Sequence, residues 1–153
     1  MQVRVFEGFL AGFIAGVPMN LWGFLSKRVF HFASRIIFDY ESFLIFGHAA
    51  KGAVETLVAL VTHMLWAGIL GIVYAYLVPF SDDERPLFRG WIFSIVVWLL
   101  LLKAGTTFKI PGIYYVPWRD AVSNFVAATL WGLTLGGTFT WLLHRRRLAE
   151  GQE

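Results

Sequence analysis

Four long apolar stretches dominate this chain, at about 6–25, 53–78, 87–102 and 121–143. A helix needs roughly 20 apolar residues to cross a hydrocarbon core about 30 Å thick. Three stretches meet that length. The third and shortest approaches it, with Arg89 and Lys103 at its ends, where long cationic side chains can snorkel to headgroup level. The pattern predicts one integral membrane domain over 1–153, an all-α, polytopic transmembrane four-helix bundle. Pro79 and Pro86 bracket the charged segment Ser81 to Arg85, a short turn that makes the second and third spans antiparallel neighbours.

Three of the stretches repeat a small residue at every fourth position, with polar residues towards one end. The first runs Gly8, Gly12, Gly16, Asn20. The second runs Ala59, His63, Ala67, Gly71, Ala75, and the last runs Asp120, Asn124, Ala128, Gly132, Gly136, Thr140. A spacing of four keeps such residues on one helix face, and in lipid small residues let two backbones approach closely. Gly8, Gly12, Gly16, Ala67, Gly71, Ala128, Gly132 and Gly136 are therefore expected to be helix-packing positions.

Between the first two spans, residues 26–52 are too long and too aromatic for a plain loop. Arg28, His31, Arg35, Asp39 and Ser42 recur at spacings of three and four, while Phe30, Ala33, Ile37, Tyr40 and Leu44 fill the other faces. This predicts an amphipathic interfacial helix over about 28–46, with an Arg35–Asp39 pair and Gly47 at its end. The connection 105–119 sets Phe108, Ile110, Tyr114, Tyr115 and Trp118 among Pro111, Gly112 and Pro117, as expected of an aromatic belt or lid.

Composition agrees with a membrane chain: 58% hydrophobic, 15% charged, with a mean hydropathy of +0.64. No room remains for a soluble catalytic domain. The absence of cysteine excludes thiol redox chemistry, disulfides and Cys-ligated metal centres. The net charge of +3 comes mostly from basic residues beside apolar segments, which points to membrane lipid as partner and away from nucleic acid. Arg145, Arg146 and Arg147 follow the last span and place both termini in the cytoplasm, on the positive-inside rule. The first span lacks a convincing cleavage site around Ala15 and Gly16 and reads as uncleaved. The expected location is the bacterial cytoplasmic membrane.

Because the spans alternate in direction, Asn20, Glu55, His63, Lys103, Asp120 and Asn124 all fall in one half of the bundle, below the aromatic cap. They are the candidate lining of a polar cavity. His63 stands out, since ionisable groups inside spans face protein or water and commonly carry function. Its structural alternative is a hydrogen bond to Asn20 or Asn124 that joins two helices. Glu55 has an alternative in pairing with Lys51 or Lys103, and Asp120 in capping the last helix. No catalytic or metal-binding motif is present: His31, His48 and His144 have no ligand spacing, and GxSxG, HExxH and phosphate-loop patterns are absent. No motif indicates a cofactor.

The glycine-rich segment from Gly8 to Val17, the stretch GILGIVYAY at 68–76 and FRGWIFSIVVW at 88–98 resemble small four-helix bacterial membrane proteins of the YqhR type. That resemblance implies the four-span layout and brings no active site with it. Three function classes follow. The first is a non-enzymatic subunit, assembly partner or scaffold of a membrane complex, with other subunits or a second copy as partner. The second is a binding or transport protein for a lipid, quinone, small solute or proton. The third, a haem- or metal-dependent membrane oxidoreductase, requires a second ligand converging on His63.

Overall fold

In a computed structural model the described residues are 2–77, 85–110 and 112–150. They contain five α-helices and no strand: α1 (Gln2–Phe24), α2 (Ile37–Phe46), α3 (Gly52–Leu77), α4 (Pro86–Thr107) and α5 (Trp118–Glu150). Four of these, α1, α3, α4 and α5, are long and apolar enough to cross a membrane. Residues 81–84 of the expected charged turn lie outside the described residues. The third span is longer than expected, because α4 continues past Lys103 to Thr107, and α5 extends beyond Leu143 into the arginine cluster.

Packing follows the order α3, α1, α5, α4. Between α1 and α3 a Cβ on Gly12 would stand 2.9 Å from the Gly71 Cα, and one on Gly8 would lie 2.7 Å from the Gly71 carbonyl oxygen. The α4/α5 seam is built the same way from Gly90, Gly132 and Gly136, where a Cβ on Gly90 would lie 2.9 Å from the Gly136 Cα. Gly16 contacts Met64 instead, and its Cβ would meet that sulfur at 2.8 Å. A core of Ala11, Ala15, Met19, Ala127, Trp131, Leu135 and Phe139 joins α1 to α5. There the Trp131 indole donates 3.1 Å to the Gly12 carbonyl. Glu7, only 5% exposed, receives a 2.7 Å bond from the Arg146 guanidinium and ties the start of α1 to the end of α5.

Two expectations are corrected. Helices α3 and α4 are consecutive in the chain yet scarcely pack on each other; they approach through Tyr74 and Phe93, whose rings are 5.4 Å apart. Both helices have a small-residue face, but that of α3 packs on α1 and that of α4 packs on α5, so large side chains are left to face each other. The helix between the first two spans is also shorter than 28–46. Residues Leu25–Val29 form a π turn that continues α1, and a left-handed residue, His31 (φ 49°), breaks the helical path. The chain then stays irregular as far as Ile36, and α2 has only 10 residues.

The face of α2 is rotated relative to the sequence reading. Asp39 and Ser42 are buried while Leu44 and Ile45 are exposed. Asp39 does not pair with Arg35: it accepts from the Lys27 ammonium at 2.6 Å and from the Ile36 N–H at 2.9 Å. Arg35 lies ahead of the helix, donates 2.9 Å to the Gly112 carbonyl and stacks over the Phe43 ring. Gly112 has φ 80° and the Phe43 ring against its Cα, a position that a side chain would obstruct. Asp120 accepts from both the N–H and the hydroxyl of Ser34, at 2.7 and 2.8 Å, and so fastens the irregular segment to the start of α5. Gly47 ends α2 in the left-handed conformation, as the sequence led us to expect.

Candidate functional site

Because α3 and α4 do not close on each other, a cleft of about 710 Å³ opens between them. Its back wall is α5, through Asn124, Ala128 and Trp131, with Met19 of α1 behind. The α3 side presents His63, Trp66, Leu70 and Val73, a helical stripe, and the α4 side presents Phe93, Val97 and Leu101. Towards one end Tyr74 packs against Phe93 and Phe139, and Leu77 still lines the cleft. The other end is roofed by α2, whose residues Ile37, Tyr40, Glu41 and Leu44 line the cleft.

The walls are mostly aliphatic and aromatic, with Ser94 on α4, and Tyr40, Glu41, His63 and Asn124 gather under the α2 roof. His63 is 5% exposed, with its Nδ1 3.5 Å from a Glu41 carboxylate oxygen. That is long for a hydrogen bond but close enough for the carboxylate to bias where the imidazole proton sits. The other ring nitrogen, Nε2, is buried and has no hydrogen-bond partner. In the same cleft the Asn124 amide donates 3.0 Å to the Tyr40 hydroxyl. Burial first, and then the Asp120 carboxylate, push the Tyr40 phenol up to about 12, so this group is a neutral hydroxyl at physiological pH.

Of the six residues expected to line a polar cavity, the cleft brings together His63 and Asn124. The other four have separate tasks. Asn20 donates back to the Gly16 carbonyl at 2.8 Å and lies 3.3 Å from the Met64 sulfur. Glu55 accepts from the Lys51 backbone N–H at 2.6 Å and lies 3.8 Å from His48, so it caps α3 rather than pairing with the side chain of Lys51 or Lys103. Lys103 is exposed near the end of α4. Asp120 holds Ser34 and borders a separate surface hollow of about 290 Å³ with Lys27, His31 and Arg119.

Sequence reasoning missed Glu41 and Tyr40. Their signal was present, since Ile37, Tyr40, Glu41 and Leu44 stand at i, i+3, i+4 and i+7, a single helix face. Among the eight packing positions, Ala128 lies on the cleft wall, and Ala67 serves both the seam with Gly12 and the wall. Among the described residues no three His, Asp or Glu side chains gather at metal-ligating distances. No protein-family model, curated protein or solved structure matches the chain.

Proposed function

We propose that the protein is a membrane-embedded binding protein that takes a lipid-soluble molecule from the bilayer into the cleft between α3 and α4. The observation that carries this reading is the cleft itself: an apolar trough lined at one end by a buried imidazole whose Nε2 has no hydrogen-bond partner. Binding sites for small amphiphiles combine an apolar wall with a few placed polar groups, and their volumes fall in the range of roughly 300–1,000 Å³. A cleft between spanning helices faces lipid rather than water, so its occupant reaches it sideways from the bilayer. Alternation of four spans and the Arg145–Arg147 cluster support a bacterial cytoplasmic membrane with both termini inside. The exposed Leu44 and Ile45 support an interfacial position for α2, dipping its apolar side into lipid.

The subunit class keeps one specific support, because a gap between two helices can also seat a helix of another chain. Native mass spectrometry of protein extracted gently from its own membrane separates the two readings. We expect one small lipid-soluble mass per chain, lost in Val97→Trp, which fills the cleft from α4. A companion polypeptide in place of that mass would make the protein a subunit of a complex. Retention of the same small mass by Val97→Trp would place its site elsewhere.

A further inference from the structure

Resting on that reading, we infer that the cleft selects amphiphiles with a neutral, hydroxyl-bearing head, and that the hydroxyl donates to His63 Nε2. The inference begins with the Glu41–His63 contact. An ionised carboxylate only accepts hydrogen bonds, so beside a neutral imidazole its position 3.5 Å from Nδ1 favours the tautomer with the proton on Nδ1. Nε2 then carries a lone pair. It is buried and unpartnered, and such a group gains most from an incoming donor.

Burial decides the charge of the head, because His63 is only 5% exposed. An ionic head would have to be stripped of water there, at a cost that a neutral hydroxyl escapes. An ionised carboxylate would also bring only acceptors to Nε2. A head with acceptors alone, such as an ester or a quinone carbonyl, would present lone pair to lone pair at Nε2. From His63 the stripe continues fourteen residues to Leu77, about 21 Å, which exceeds half of a hydrocarbon core about 30 Å thick. A long acyl or prenyl tail can lie along that length.

The test uses the full chain in a detergent without hydroxyl groups and three probes of matched tail: oleyl alcohol, methyl oleate and oleate. Native mass spectrometry follows the bound fraction during titration. Oleyl alcohol is expected to bind one per chain, with half-saturation at about tenfold lower concentration than either other probe, the worth of one hydrogen bond to a buried acceptor. In His63→Phe the alcohol should fall to the level of methyl oleate, whose own binding stays unchanged. Should His63→Phe fail to fold, Glu41→Gln serves: it keeps the size of the side chain, removes the carboxylate and should shrink the preference several-fold.

Equal binding of all three probes, unaffected by either variant but lost in Val97→Trp, would overturn the head-group inference while leaving the cleft as a lipid site. Preference for methyl oleate or oleate would overturn it as well, because Nε2 would then be a donor. Failure of every probe, or dimers or hetero-complexes that exclude them, would overturn this inference together with the binding reading beneath it.

Discussion

Helices α1 and α3 meet through glycine and alanine, whereas α3 and α4 face each other across valine, leucine and tryptophan. All of these faces are apolar, yet one pair is closed and the other open. In lipid, apolar character brings no two helices together, because the acyl chains are as apolar as leucine; association depends on how closely the backbones can approach. At the closed seam nothing lies between the Gly12 and Gly71 backbones. At the open one, Leu70 and Val97 sit on opposite walls of the same cleft. The glycine seams bring α1 to α3 and α4 to α5, the Ala11 and Ala15 face of α1 receives α5, and the cleft is left where two helices share no such small-residue face.

The comparison breaks most severely when a seam is filled. Gly12→Leu would drive a side chain onto the Gly71 backbone, which has no rotamer to yield, and should cost about 3 kcal/mol or prevent assembly altogether. Gly132→Leu, facing Gly90 and Ser94, should do the same to the second seam. Thermal melting in detergent measures both, and a normal melt of Gly12→Leu would mean that the seam does not exist. Next comes the anchor of the cap: Asp120→Ala leaves the Ser34 N–H and hydroxyl without their acceptor and should cost about 2 kcal/mol. Trp131→Phe removes the indole bond to the Gly12 carbonyl and should cost about 1 kcal/mol on the same melt. Smallest is the effect in the cleft. Val97→Trp adds bulk where there is space and should shift stability by less than about 0.5 kcal/mol. A large loss there would show that the α4 wall is already packed against something.

The seams were legible because their signal is local. Every fourth residue on one strip of α1, α3 or α5 is small, and that periodicity is visible without knowing the partner helix. Gly90 was the exception. On α4 its companions at four-residue spacing are Pro86 and Ser94 rather than glycine or alanine, so only the structure assigns it to Gly132 and Gly136. The cleft was not legible, because a gap is an absence of contact between two helices that are consecutive in the chain, and nearness in sequence argued for the opposite. Half of the site was visible in His63 and Asn124, which interrupt small-residue stripes. Glu41 and Tyr40 escaped because α2 was read with Asp39 and Ser42 facing water. Lys27 and the Ile36 N–H satisfy Asp39 from the protein side, which permits those polar groups to be buried and turns Tyr40 and Glu41 towards the cleft.

Whether lipid has access to the space between α3 and α4 is best measured in a bilayer, and the lack of cysteine gives a clean background. A fluorescent label on Val97→Cys would be compared with one at outward-facing Val61→Cys and one at buried Ala127→Cys, using lipids that carry a nitroxide quencher on the acyl tail. An open cleft predicts quenching at position 97 close to that at 61 and well above that at 127. Protection at 97 equal to that at 127 would mean that α3 and α4 close on each other or on another helix, and would contradict the account.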